Sequence, residues 1–307
     1  MFSAAVGGFM YGVPESPAGK RAIFGYGNTG SATAITNLVS NTGVVATDTA
    51  GVGTARTDLA AAGYGDDKAI FGYGSNGATP RSMTNLVSNT GVVATDTTGV
   101  GTTRSGLAAA DYGTDKAIFG YGINNDTGDI VSITNLVSNT GVVATDTAGV
   151  GTARNNLAAA DYGTDKAIFG YGQSAVTTRV SMTNLVSNTG VVATDTTGVG
   201  TARRLLATAG YGGDKAIFGY GDSASGVSAI TNLVSNTGVV ATDTTGVGTA
   251  RQGLAAASYG TDKAIFGFGV TTVVTAITNL VSNTGVVATD TTGVGTARRA
   301  LAAASYG

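Results

Sequence analysis

Apolar residues along this chain fall into short runs alternating with small or polar ones, as in Leu59-Ala60-Ala61-Ala62-Gly63-Tyr64 and Lys68-Ala69-Ile70-Phe71-Gly72-Tyr73. No 3.6-residue apolar spacing persists long enough to define a helix. Val, Ile, Thr, Tyr and Phe supply strand preference inside the runs, while Gly, Asn and Asp punctuate between them. The pattern predicts an all-β chain.

The runs recur as a repeat. The segment AIFG-Y/F-G begins at Ala22, Ala69, Ala117, Ala167, Ala216 and Ala264, at intervals of 47, 48, 50, 49 and 48 residues. The block TNLVSNTGVVATDT follows in each unit without a change of letter, from Thr36, Thr84, Thr134, Thr183, Thr231 and Thr278. Length varies between these two blocks, where 8, 9, 11, 10, 9 and 8 residues intervene.

Each unit reads as four strands: Leu59 to Gly65, Lys68 to Gly74, Met83 to Ser88 and Val92 to Thr97 in the second unit. Ser-Asn-Thr-Gly between the last two is a tight hairpin signal, so the four should form an antiparallel meander. One meander buries little and leaves two edges, so units must pack on one another. The repeats start at a second strand, Arg21 to Phe24, and stop after a first strand, Leu301 to Gly307. Those ends are complementary. The expected architecture is a six-bladed β-propeller of four antiparallel strands per blade, closed by the C-terminal strand completing the N-terminal blade, rather than an open solenoid with polar caps. Residues 21–307 form the propeller and residues 1–20 an N-terminal arm. The small LAAA strand is expected nearest the axis. Alternation places Ala22, Phe24 and Tyr26 on one side and Ile23, Gly25 and Gly27 on the other, so rings can nest on the glycine side of the next blade.

From the Arg before the first strand, Arg104-Ser105-Gly106-Leu107-Ala108-Ala109-Ala110, through Lys116-Ala117-Ile118-Phe119-Gly120-Tyr121-Gly122, the unit resembles a Kelch repeat over residues 21–307. Gly-Tyr-Gly stands where Kelch families have a double glycine, and their fourth-strand Trp is missing, which makes this a divergent, compact version. The phrasing also resembles Kelch-like repeats of bacteriophage virion and tail proteins. The resemblance implies a binding or structural platform with ligands on the face of the second-to-third and fourth-to-first loops. It implies no activity.

Composition narrows the chemistry. Of 307 residues, 49 are Gly, 12% are charged, and the net charge is −2. That balance argues against nucleic-acid binding through an overall basic field. Cys, His and Trp are absent, which removes thiolate and imidazole catalysis and the usual zinc, copper and haem ligation. Glu15 is the only Glu. No cofactor, no metal site and no enzymatic activity are expected, and glycosidase chemistry would need two converging carboxylates. No apolar stretch reaches the ~18 residues of a membrane helix, and the N-terminus lacks a secretory signal pattern, so a soluble protein without membrane insertion is expected, its location open between cytoplasm and virion.

Strand parity puts the second-to-third loop and the connector into the next blade on one face, and these are where the units differ most. The connector pairs are Thr57-Asp58, Ser105-Gly106, Asn155-Asn156, Arg204-Leu205, Gln252-Gly253 and Arg299-Ala300. Candidate ligand-binding residues there are Arg81, Asp126, Asp129, Arg179, Asn155, Asn156, Arg204 and Arg299. A recognition surface and neutral loop drift both account for the diversity. The repeated series Arg56, Arg104, Arg154, Arg203, Arg251 and Arg298 has two readings: a ring at the channel mouth gripping carboxylate or phosphate, or an internal pairing of each Arg with an Asp, which the equal numbers per unit favour. Gly25-Tyr26-Gly27-Asn28-Thr29-Gly30 fits G-x-G-x-x-G but opens no helix, so the dinucleotide mechanism is missing. Asn124 to Asp129 reads as a polar turn ahead of a calcium loop, and Asn125-Asp126-Thr127 is a lone glycosylation triplet.

The functional expectation is a non-enzymatic structural or interaction module, a monomeric ring or part of a larger assembly such as a phage particle, binding a protein or glycan through the variable face. The alternative is a lectin with repeated sugar sites. Recent duplication without an evolved task fits the internal identity too. Residues 1–20, with Phe2, Phe9, Met10 and Tyr11, are expected to lie on the blade exterior, cover the channel, or tether a larger assembly.

Overall fold

A computed structural model describes residues 19–77, 81–175 and 177–307. Most of the arm expected over residues 1–20, and residues 78–80 of the second variable loop, lie outside the described residues.

Every regular element described is a strand, and six three-stranded antiparallel sheets share one plan. The inner strands are Ala60–Tyr64, Ala108–Tyr112, Ala158–Tyr162, Ala207–Tyr211, Ala255–Tyr259 and Ala302–Tyr306. They pair with middle strands Lys68–Gly72, Lys116–Gly120, Lys166–Gly170, Lys215–Gly219, Lys263–Gly267 and Arg21–Gly25 respectively. Each middle strand pairs in turn with a four-residue TNLV strand. The sixth sheet joins both ends of the repeat region: Arg21 faces Tyr306 and Gly25 faces Ala302. Each inner strand lies against two others, in chain order, and Ala302–Tyr306 lies against Ala60–Tyr64.

The fourth strand expected over Val92 to Thr97 is reduced to two isolated bridges, Val87 with Val93 and Thr84 with Thr97. The amide of Ala94 donates to Leu86 and that of Thr97 to Thr84, so Thr95 and Asp96 together face Asn85. This is a one-residue bulge. Asn85 fills it with its side chain, Nδ2 donating to the Ala94 carbonyl at 3.0 Å and to Asp96 Oδ1 at 2.9 Å. Strand preference wins at the ends of the segment, and the asparagine takes the place of the ladder in the middle.

Packing between sheets rests on rings against glycines. Phe71 is so close to Gly25 that a Cβ there would lie 2.6 Å from its ring, and the last contact of the series sets Phe24 on Gly267 at 2.7 Å. Each fully buried Phe contributes about 2–3 kcal/mol of transfer free energy. Tyr26 departs from the expected alternation. Its φ is +64°, a left-handed conformation that costs about 1–2 kcal/mol for a residue with a Cβ. The turn swings its ring to the Ile23 side, where it meets Phe71 edge-on at 5.1 Å. The equivalent Tyr73, Tyr220 and Phe268 do the same, and Tyr121 and Tyr171 meet their Phe partners tilted, all at 4.9–5.1 Å. Ring packing, plus a hydroxyl bond from Tyr26 to the Val52 carbonyl at 3.1 Å, offsets the strain.

Candidate functional site

The repeated arginines are interior. All six are fully buried, and each guanidinium lies over an aromatic ring of the preceding unit, 4.2–4.8 Å from its centroid. Arg154 is representative. It stacks on Tyr121 at 4.7 Å, donates to Asn184 Oδ1 at 2.6 Å, and lies 3.4 Å from Asp195 Oδ1. Burial pulls its pKa down, while the Tyr121 hydroxyl and Asp195 pull the other way. Only for Arg298 does the fall reach about 10, which still leaves it protonated at neutral pH. Of the two readings of Arg56, Arg104, Arg154, Arg203, Arg251 and Arg298, the less favoured anion ring is corrected: a side chain with no exposed surface and a ring on its face cannot receive a ligand from solvent. The pairing reading is closer, with the aspartate supplied by the last segment of the arginine's own unit and the aromatic and asparagine partners unanticipated.

That aspartate is itself a staple between units. Asp195 accepts from the Thr152 amide at 3.0 Å and from Thr152 Oγ1 at 2.6 Å, and Asp48 does the same for Thr296, joining the first unit to the last. On the opposite face each lysine that opens a middle strand pairs with the adjacent turn Asp, as Lys68 with Asp67 at 2.6 Å. These pairs are solvent-facing and contribute little.

The two variable stretches meet, as parity requires. The first residue of each connector pair bridges the first residue of the following loop: Thr57 with Ser75, Ser105 with Ile123, Asn155 with Gln173, Arg204 with Asp222, Gln252 with Val270, and Arg299 with Asn28. The second residue of each pair, Asp58, Gly106, Asn156, Leu205, Gly253 or Ala300, holds φ between +52° and +61°. In that conformation the six amides form a closed circle of backbone hydrogen bonds. Asp58 donates to Ala300, Ala300 to Gly253, Gly253 to Leu205, Leu205 to Asn156, Asn156 to Gly106, and Gly106 to Asp58, all within 2.7–2.9 Å. Below this collar the leucines that open the inner strands floor a cavity of about 80 Å³. The result is a leucine-floored pit whose rim carries four different side chains, Asp58, Asn156, Leu205 and Ala300, and two glycines, Gly106 and Gly253. Burial raises the Asp58 carboxyl, with a Thr57 hydroxyl bond and the Arg299 charge opposing.

Beside the pit lies a semi-buried charged cluster. Asp222 accepts from Arg179 at 2.6 Å and from Arg204 at 2.9 Å, and Arg204 also donates to Gln173 at 2.5 Å. Burial works to raise Asp222, but the two arginines outweigh it and hold the carboxyl below its ordinary range. Asn155 is buried with Oδ1 unpartnered, and Asn156 belongs to the collar. Arg299 is exposed near Asn28. Arg81 lines a separate groove with Asp96. Asp126 accepts from Thr103 at 3.0 Å on an exposed turn that also carries Asp129. The structure thus gathers Asn155, Asn156, Arg179, Arg204 and Arg299 around the collar and leaves Arg81, Asp126 and Asp129 to its periphery. The collar residues Asp58 and Leu205 were absent from the sequence candidates, because nothing in their residue types announces the left-handed backbone that gathers them.

No protein-family model matches this chain, and no curated protein matches it.

Proposed function

We propose that the chain is a six-bladed, Kelch-like β-propeller acting as a non-enzymatic interaction module, with a protein or glycan partner taken over the central pit of its variable face. Ring closure is supported by four junctions between last and first units that follow the pattern of the others: the Arg21–Gly25 pairing with Ala302–Tyr306, Phe24 on Gly267, Asp48 with Thr296, and the Ala300 link in the collar. Its bridged fourth segments stand as vestigial outer strands of the blades.

The observation that carries the binding role is the collar. A near-uniform scaffold converges four different side chains and two glycines around one leucine-floored depression, and recognition concentrates where a rigid frame holds diverse loops. Because the rim residues are not the same from unit to unit, they support one composite site over six equivalent sugar sites. A virion or tail surface is the assembly proposed to carry the module, from the likeness of the repeat phrasing alone.

Parallel screening of the parent and an Asp58→Ala, Asn156→Ala, Leu205→Ala variant on glycan arrays and arrayed surface proteins tests the reading. Binding by the parent that the rim variant loses is the expected result. Signal retained at full strength by the rim variant removes the pit from the assignment, and an elongated solution particle in small-angle scattering removes the ring.

A further inference from the structure

At the opposite end of the axis the inner strands present a polar layer to the central cavity. Its six positions in order are Gly63, Asp111, Asp161, Gly210, Ser258 and Ser305. The repeat separates the two aspartates by 50 residues in sequence, yet the fold makes them neighbours, since Ala108–Tyr112 lies against Ala158–Tyr162. Apart from the backbone amide of Asp161 itself, which bonds its own carboxylate, no side chain among the described residues donates to either carboxylate, and the opposite charge acting on Asp161 is the exposed Lys20 at the mouth. The Asp161 carboxylate leans over Gly210, where a Cβ would come within 2.9 Å of Oδ1.

The rest of the layer offers lone pairs only. Ser258 Oγ gives its proton to the Gly210 carbonyl at 2.9 Å and Ser305 Oγ gives its own to the Ser258 carbonyl at 2.8 Å. Their oxygens can act toward the cavity as acceptors alone. One layer further in stands Thr208, the single non-alanine at its level. Ala207 and Ala209 on either side face the core, so alternation turns the Thr208 side chain to the axis. Thr208 is 8% exposed, and its Oγ1 has no hydrogen-bond partner. Burial, and then the charge of Asp111, push Asp161 up to about 7, with Lys20 pulling back, as expected where negative charge lacks a counter-ion.

We propose that this layer binds a hard divalent cation on the axis, held by the carboxylates of Asp111 and Asp161 with hydroxyl oxygens of Ser258, Ser305 and Thr208, water completing the shell. Two carboxylates match a divalent charge, and an all-oxygen donor set selects calcium-like ions over softer metals. The cavity, about 40 Å³, accommodates an ion and one or two waters. With two carboxylates and Lys20 competing, affinity falls in the weak class, with half-saturation around 10⁻⁴–10⁻³ M.

Calorimetric titration of the chelator-treated full chain with calcium chloride at pH 8 tests this, alongside the melting temperature at 10 mM calcium. The parent is expected to bind once and to melt about 2 °C higher. Asp111→Asn with Asp161→Asn is expected to bind at least tenfold more weakly, and Lys20→Ala more tightly. No heat and no melting shift for the parent, undiminished binding by the double variant, or unchanged or weaker binding by Lys20→Ala overturns the site. The lysine variant, changed at an exposed position, keeps the test decisive if the aspartate variant misfolds.

Discussion

Arg298 lies 4.2 Å from the ring centroid of Phe268, whereas at the other five junctions the arginine covers a tyrosine. Each of those tyrosines also donates its hydroxyl to a valine carbonyl of the connector, as Tyr220 does to Val247 at 3.1 Å. The junction joining the last unit to the first lacks that bond, and Arg298 Nη2 and Asn37 Oδ1 are both unpartnered there. Phe268→Tyr is expected to add about 1 kcal/mol, the net worth of one buried hydrogen bond. At this chain length that is a rise of about 2 °C in calorimetry. An unchanged or lower melting temperature refutes it.

The interior arginines make a stronger demand. Truncating Arg154 removes the stack on Tyr121 and leaves the Asn184 oxygen and Asp195 without their cation. Arg154→Ala is expected to cost on the order of 3 kcal/mol through cavity formation and orphaned polar groups. Arg154→Lys should recover little, because an ammonium cannot lie flat on the ring while reaching both partners. Denaturant midpoints for the two variants check this, and a loss below about 1 kcal/mol for the alanine variant contradicts the packing role.

Much of this is legible in the sequence. The Phe-Gly spacing in AIFG foretold rings nesting on glycines, and the common face of the variable stretches followed from counting strands. Val92 to Thr97 was misread because strand preference is a property of residues, whereas the bulge at Thr95-Asp96 is imposed by the Asn85 side chain across the gap. Tyr26 was put on the wrong side because alternation assumes extended backbone, and its φ is +64°. Equal numbers of Arg and Asp hinted at internal pairing, but the aromatic partner comes from the preceding unit and is invisible to a unit read alone. Asp111 and Asp161 stand 50 residues apart in the sequence, and only the order in which the inner strands pack makes them adjacent.

The aspartate staples fix the direction of the acid response. For Asp195, burial opposes the charge, but bonds from Thr152 and Asn184, with the Arg154 charge, outweigh it and hold the pKa below its ordinary 3.8. The other five members of the series are lowered likewise. A carboxyl depressed by folding stabilises above its unfolded pKa, and that contribution disappears as pH falls through the folded value. The staples' contribution should therefore be level above about pH 5 and be lost progressively below about pH 4. Asp195→Asn is expected to lower stability by about 1–2 kcal/mol at pH 7, the worth of hydrogen bonds to a charged group, and to flatten the acid limb. A parent whose acid limb is no steeper than the variant's contradicts the staple.

The collar sets stability against recognition. Leu205 and Ala300 hold φ of +54°, where a side chain costs about 1 kcal/mol that glycine would not pay, and Gly106 and Gly253 occupy the same position at +61°. Retaining Leu and Ala there makes sense if the side chain is used. Leu205→Gly should therefore leave the circle of amide bonds intact and give at most a small net change in melting temperature, relief of backbone strain being set against greater freedom of the unfolded chain. It should at the same time weaken whatever binds over the pit. Gly253→Val is the converse, adding a β-branched side chain in a conformation it resists, and is expected to cost at least 1–2 kcal/mol. Melting both variants and repeating the array screen with Leu205→Gly separates the two effects. If Leu205→Gly strongly destabilises the chain, the leucine is held there by packing, and the tension between collar strain and binding does not exist.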